Sequence, residues 1–210
     1  MSIRKNIETI KLTANFMLRS ILIFFSFIIL TPAFAQDLNF YKESISFKIE
    51  EGWFYVSGEY FLKSTDSSKK LLFYPFPTDS IYGEVDSVLI FDLSREEKIE
   101  AFKISDRGLY FNFMADSLVE TRLQISYRQK LLGNRAEYIL LTTRAWGKAF
   151  EKANYQLIVP PGIEVTGFSY SPDKKVRIDG ETIYFWTKYS FMPDKNMILT
   201  FNIHSTIKNK

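Results

Sequence analysis

The chain has 210 residues, of which 46% are hydrophobic and 17% aromatic, with 27 basic residues, 24 acidic residues and no cysteine. The lack of cysteine excludes disulfide scaffolds, thiol catalysis and cysteine-based metal sites. Four basic residues and one acidic residue lie in residues 1–35, so residues 36–210 carry 23 of each sign. That balance offers no basic surface for nucleic acid or for an anionic membrane.

The first predicted element is an export signal in residues 1–35. Arg19 precedes an uncharged apolar run from Ile21 to Leu30, and Ala33-Phe34-Ala35 then supplies the small residues that a signal peptidase reads. The run is about half the ~20 apolar residues that a membrane-spanning helix needs, so we predict cleavage before Gln36. Met17 would begin a tighter signal and is a second candidate start. An uncleaved amphipathic or anchoring helix is the alternative. The prediction places the protein in the periplasm, at the cell surface or in the medium.

The rest of the chain is predicted to form strands. Segments rich in aromatic and β-branched residues recur about every ten residues between turn sequences. In the clearest segment, Thr121 to Gln129, apolar and polar residues alternate with a period of two, which a helix cannot satisfy. The predicted strands are Ser46 to Ile49, Trp53 to Leu62, Leu71 to Phe76, Val85 to Phe91, Ile99 to Ile104, Leu109 to Met114, Thr121 to Gln129, Tyr138 to Leu141, Tyr155 to Val159, Val165 to Tyr170, Thr182 to Trp186 and Met197 to Ile203.

This pattern predicts an all-β fold, an immunoglobulin-like antiparallel β-sandwich. Residues 36–132 and 133–210 are candidate halves that pack together near Gly133. One stretch, Ala145 to Ala153, is helix-like over a turn or two.

Sequence motifs for catalysis are missing. The single histidine is His204, and no Gly-x-Ser-x-Gly elbow, glycine-rich phosphate loop or aspartate-rich calcium loop occurs. We therefore predict no catalytic residue, no metal site and no cofactor. A glycosidase with paired carboxylates stays open as an alternative, because its two acids converge in space rather than in sequence.

One segment, Thr142 to Phe150, interrupts the strand rhythm and supplies the candidate binding residues. It combines Arg144, Trp146 and Lys148 around the flexible Gly147. On a loop, these side chains could stack on a sugar ring or bind a partner's carboxylate. The alternative is structural: Trp146 plugs one end of the sandwich core, and Arg144 and Lys148 solvate its rim.

Two further segments carry a family resemblance. Trp53 to Tyr60, followed by Leu72-Phe73-Tyr74-Pro75-Phe76-Pro77, resembles exported bacterial β-sandwich proteins of unknown function whose first sandwich has a Tyr-Pro-Phe-Pro strand end. Thr143 to Gly147 and Phe191 to Asp194 are similar to the second halves of such proteins. The resemblance implies a β-sandwich with no assigned activity, so it transfers no functional residue.

These observations together predict a non-enzymatic exported binding or structural module of the bacterial cell envelope. It would contact another envelope protein or a glycan through its loops, bind no nucleic acid and not insert stably in the membrane after signal cleavage. The first alternative is a carboxylate-based glycan hydrolase. The second is a small outer-membrane β-barrel, which the aromatic content favours but the short predicted strands and the ending Thr206-Ile207-Lys208-Asn209-Lys210 oppose.

Overall fold

Strands dominate the computed structural model, which describes residues 38–117 and 119–204. The predicted signal, the Met17 start and the cleavage site before Gln36 lie outside these residues. All described residues belong to one unit, Gln36–Lys210, and no helix within the described part is long and apolar enough to cross a membrane. The strands are β1 Leu38–Glu50, β2 Trp53–Ser64, β3 Ser68–Pro75, β4 Tyr82–Asp92, β5 Glu97–Lys98, β6 Phe102–Ser105, β7 Gly108–Ala115, β8 Thr121–Leu131, β9 Arg135–Tyr138, β10 Phe150–Val159, β11 Ile163–Phe168, β12 Lys174–Ile178, β13 Glu181–Phe191 and β14 Met197–Ile203.

These strands form one large sheet and two small ones. The large sheet has eight strands in the order β12-β13-β10-β1-β2-β8-β4-β5, and the small sheets are β11-β14-β9 and β3-β7-β6. The predicted all-β sandwich is confirmed. One pair departs from the antiparallel prediction, because β1 and β10 run parallel. A long connection separates these two strands, so no hairpin turn dictates their relative direction.

The two small sheets cover one face of the eight-stranded sheet. Phe47 of β1 lies 5.3 Å, centroid to centroid, from Tyr138 of β9, and Tyr127 of β8 lies 5.9 Å from Tyr74 of β3. All four rings are buried. The covered face of the large sheet is therefore the apolar side of the sandwich core, and its other face is open.

Strand alternation follows from this arrangement. Along β8, Thr121, Leu123, Ile125 and Tyr127 face the core, and the intervening residues face outward. Strands from residues 36–132 and from residues 133–210 are hydrogen-bonded side by side in the large sheet, where β10 pairs with β1. The two predicted halves thus share a sheet, and their boundary stays a prediction.

The predicted helix-like stretch Ala145 to Ala153 is placed differently. A 3₁₀ helix, Leu141–Trp146, lies largely before that stretch and ends at Gly147, whose φ of 66° is in the left-handed region. Strand β10 then begins at Phe150. Alanine and lysine favour helices, but burial of every second side chain from Ala153 onward satisfies a strand, and tertiary packing overrides the local preference.

Candidate functional site

The open face of the large sheet carries two adjacent rows of mostly small, neutral polar side chains. The pairing register aligns one residue from each of β13, β10, β1, β2 and β8 in each row. We call these rows the polar belt; they are Thr187, Asn154, Ser44, Glu59 and Gln124, then Phe185, Gln156, Ser46, Ser57 and Ser126. Four gaps between strands of ~4.8 Å give the belt a length of about 19 Å across the sheet.

A cleft of ≈ 420 Å³ lies over the polar belt. Two hydrogen bonds connect side chains of the belt: Gln156 Nε2 donates to Ser46 Oγ at 2.9 Å, and the hydroxyls of Ser57 and Ser126 are 3.0 Å apart. A glutamine amide has two donor hydrogens and an acceptor oxygen, and a serine hydroxyl both donates and accepts. The belt therefore keeps hydrogen-bonding capacity for a ligand after its internal bonds are made.

Charged and aromatic side chains flank the polar belt. The neighbouring rows are Tyr189, Lys152, Lys42, Phe61 and Arg122 on one side, and Ile158, Lys48, Tyr55, Arg128 and Asp86 on the other. Arg122 binds Glu59 of the belt, and Arg128 donates to both carboxylate oxygens of Asp86. The hydrogen bond from Arg128 lowers the pKa of Asp86. Lys42 Nζ lies 3.9 Å above the Phe61 ring.

The opposite, covered face holds a buried carboxyl group. Glu43 of β1 is only 2% exposed. It faces the core because the β1–β2 register shifts between Phe40 and Lys42, so that both Phe40 and Glu43 point inward. Such a β-bulge inserts one extra residue, so the side chains that follow it point to the opposite face of the sheet. Desolvation raises the pKa of Glu43 to about 7, although hydrogen bonds from Tyr155 and Tyr138 oppose the shift.

Four tyrosine hydroxyls connect with Glu43 in one hydrogen-bonded chain. Tyr155 donates to Glu43 Oε1, and Tyr138 reaches Oε2 over 3.5 Å. The Tyr60 hydroxyl is 2.9 Å from that of Tyr138 and 2.7 Å from that of Tyr74. We call these five residues the Glu43–tyrosine chain. Its members come from β1, β2, β3, β9 and β10, so it ties all three sheets together. Burial raises the pKa of all four tyrosines, which keeps their hydroxyls protonated.

A glycine makes room for the centre of this chain. A Cβ atom on Gly58 would lie 2.7 Å from Ile45 Cδ1 and closer still to the Tyr60 hydroxyl. Gly58 and Tyr60 are two residues apart on β2 and face the same side. The missing side chain therefore lets the Tyr60 ring extend along its own strand to reach Tyr74 and Tyr138.

The three sequence-predicted binding residues have different surroundings in the structure. Trp146 is half-buried, and its ring centroid lies 4.8 Å from that of Phe40. It lines a cavity of ≈ 60 Å³ that Glu43 also lines. Arg144 is exposed, and its Nε donates to the Pro193 carbonyl at 3.0 Å. Lys148 is exposed as well. Arg144 and Lys148 do not line the cavity beside Trp146.

The features that sequence reasoning missed are the polar belt and the Glu43–tyrosine chain. A signal for the belt is present in β1, where Ser44 and Ser46 alternate with Ile45 and Phe47. The signal for the chain is weaker, because Glu43 follows Lys42 in a segment that looks solvated.

Comparison with known proteins identifies the fold and no closer relationship. No protein-family model matches the chain, and no curated protein matches it significantly. A Legionella pneumophila protein, provisionally called a nutrient binding protein, is similar with a TM-score of 0.65 and 10% identity over 79% of this chain and 67% of its own. An M1 zinc metallopeptidase mutant from Deinococcus radiodurans, bound to a Tyr-Ser-Ala substrate, is similar with a TM-score of 0.50 and 8% identity. This chain covers 43% of that peptidase.

Proposed function

We propose that the chain is a non-enzymatic exported binding module of the bacterial cell envelope that holds a glycan on its polar belt. One observation carries the proposal: seven hydroxyl or amide side chains of the belt, from five adjacent strands, line a ≈ 420 Å³ cleft. The rigid sheet fixes the spacing of these side chains. Binding of a ligand that matches this spacing therefore costs little free energy for ordering the site. Export rests on the predicted signal in residues 1–35.

A glycan fits this surface better than a protein does. Sugar hydroxyls both donate and accept hydrogen bonds, as do the side chains of the belt. Protein interfaces instead depend on large aromatic or arginine anchors at their centre, whereas here the one aromatic side chain of the belt, Phe185, stands at the end of its row, and Phe61 and Tyr189 lie in the row that flanks the belt. The belt also lies across inner strands of the sheet, whose backbone groups are already paired on both sides, so a peptide cannot add to it as a strand.

The arrangement of carboxylates supports binding over hydrolysis. Among the described residues, Glu59 is the one carboxylate that lines the cleft, and Arg122 binds it. Glycosidases use two carboxyl groups on either side of the scissile bond, whereas Glu43 lies on the other face of the sheet. No group of three or more His, Asp or Glu side chains that could hold a metal occurs in the described part of the chain.

Removal of belt amides is expected to weaken glycan binding about 10- to 30-fold. The test variant combines Asn154→Ala with Gln156→Ala, which removes two amides of the belt, each able to make a hydrogen bond worth ~1 kcal/mol. Isothermal titration of the purified protein with cellohexaose and chitohexaose, two neutral oligosaccharides, measures Kd. Asn202→Ala on β14, an exposed asparagine outside the cleft, is the matched control and is expected to bind like the unaltered protein.

Two results would contradict the proposal. The first is that the unaltered protein binds an oligosaccharide, and the Asn154→Ala, Gln156→Ala double variant binds it with the same affinity as the Asn202→Ala control. The other is binding of neither oligosaccharide, nor of purified peptidoglycan sacculi in a sedimentation assay. Turnover of either oligosaccharide, detected by chromatography and abolished by Glu59→Gln, would favour the hydrolase alternative instead.

A further inference from the structure

The geometry points to a second binding site, for a primary alkylammonium group, in the cavity between Glu43 and Trp146. The cavity lies among the core side chains on the covered side of the large sheet and does not share the cleft of the polar belt. The inference is therefore independent of the proposed glycan site, and the failure of one leaves the other standing.

The cavity has room for a small group. Its volume of ≈ 60 Å³ exceeds several-fold the ~10–15 Å³ that one water molecule needs. Its polar lining includes Glu43, Tyr60 and Tyr138, and its aromatic lining includes Phe40 and Trp146. Polar and aromatic side chains around one cavity suit a ligand with a charged head and a short apolar chain.

Glu43 lacks a counter-charge in its surroundings. The groups that face it are tyrosine hydroxyls from β2, β3, β9 and β10, namely Tyr60, Tyr74, Tyr138 and Tyr155, and no lysine, arginine or histidine of the described residues contacts it. An ionised carboxylate accepts about four hydrogen bonds, but only Tyr155 and, at 3.5 Å, Tyr138 donate to this one. A buried charge is costly unless it is paired. An ammonium group would supply both the opposite charge and the missing donors.

The aromatic side chains that line the cavity favour binding of the ligand's alkyl chain. The Trp146 and Phe40 rings are 4.8 Å apart, and Trp146 is half-buried, so it borders the cavity at the surface. With the ammonium group bound at Glu43, the alkyl chain would pack on these rings. Cation–π attraction to nearby aromatic faces would further stabilise the ammonium group. A divalent metal ion is a poorer fit, because a single carboxylate among neutral tyrosines gives too few ligands.

The test is a titration of the purified protein with n-butylammonium chloride at pH 8, followed by Trp146-region amide shifts in NMR spectra. We expect saturable binding, at least tenfold weaker binding in Glu43→Gln, and unchanged binding in the matched control Glu59→Gln, whose carboxylate lies on the open face. Because Glu43 must be ionised and its pKa is about 7, affinity at pH 6 is expected to be about tenfold lower than at pH 8. The neutral isostere 1-butanol is expected to bind far more weakly.

Three results would overturn the inference: no saturable binding, equal binding by Glu43→Gln, or equal binding of 1-butanol. The first would mean that the cavity holds water only. If Glu43→Gln does not fold, the pH dependence and the comparison with 1-butanol, both made on the unaltered protein, decide the question. Affinity that is the same at pH 6 and pH 8 would then refute it.

Discussion

Glu43→Gln is expected to remove a pH dependence of stability of about 3 kcal/mol. Burial raises the pKa of Glu43 from 4.5 to about 7. Below pH 4.5 the carboxyl group is protonated in both the folded and the unfolded state. Between pH 4.5 and 7 the unfolded chain releases this proton while the folded protein holds it, so the free energy of unfolding falls as the pH rises. Above pH 7 the loss is complete, at ~1.36 kcal/mol for each unit of the shift.

Glutamine avoids this loss because it carries no charge. Its amide oxygen can accept from Tyr155, and its NH₂ group can donate to a neighbouring tyrosine hydroxyl. Urea denaturation of both proteins at pH 4.5, 6 and 8 measures the difference. We expect the variant to gain about 3 kcal/mol over the unaltered protein between pH 4.5 and 8. Glu59→Gln is the control for a carboxylate outside the core, and parallel pH curves for Glu43→Gln and the unaltered protein would contradict the prediction.

Gly58→Ala is expected to destabilise the fold by roughly 3 kcal/mol. The added Cβ would overlap the Tyr60 hydroxyl and approach Ile45 Cδ1 to 2.7 Å. Tyr60 and Ile45 are both buried and packed, so relief requires a shift within the core, which typically costs ~1–3 kcal/mol. Displacement of the Tyr60 hydroxyl would also weaken its bonds to Tyr74 and Tyr138, at ~1 kcal/mol each.

Gly133→Ala provides the matched control. A Cβ at Gly133 would meet nothing within 4 Å, so the same chemical change is expected to alter stability by at most ~1 kcal/mol, and in the stabilising direction. Thermal unfolding followed by circular dichroism measures both variants. Equal stability of Gly58→Ala and Gly133→Ala would contradict the prediction. The position of the Tyr60 ring would then not depend on the missing side chain at Gly58. Adding Tyr60→Phe should relieve part of the loss, since it removes the overlapping oxygen.

Strand positions were predictable where one face of a strand is apolar and the other polar. Thr121 to Gln129 matches β8, which ends two residues later, because every second residue there is a core side chain. The first half of β1 was missed. It starts at Leu38 rather than at Ser46, and the register shift after Phe40 breaks the period of two that sequence reasoning relies on.

The candidate site was less predictable than the strands, since it depends on which strands are neighbours. Ser46 and Gln156 are 110 residues apart in the chain and hydrogen-bonded in the structure. Each is an ordinary outward-facing residue by itself, and only the β1–β10 pairing makes them part of one surface. The stretch around Trp146 stays a predicted binding site. Sequence reasoning could not place the carboxyl group of Glu43 in the cavity that Trp146 lines, because Glu43 comes from a strand about a hundred residues earlier.

Chemical-shift mapping of a chitohexaose titration tests the proposed glycan site most directly. The measurement follows the backbone and side-chain amides of the isotopically labelled protein as the oligosaccharide is added. We expect the largest, saturable shifts at the side-chain amides of Asn154, Gln156 and Gln124, with Asn202 unmoved. Shifts centred instead on residues 141–148 would place binding at the loop around Arg144, Trp146 and Lys148. That result would contradict a glycan site on the polar belt.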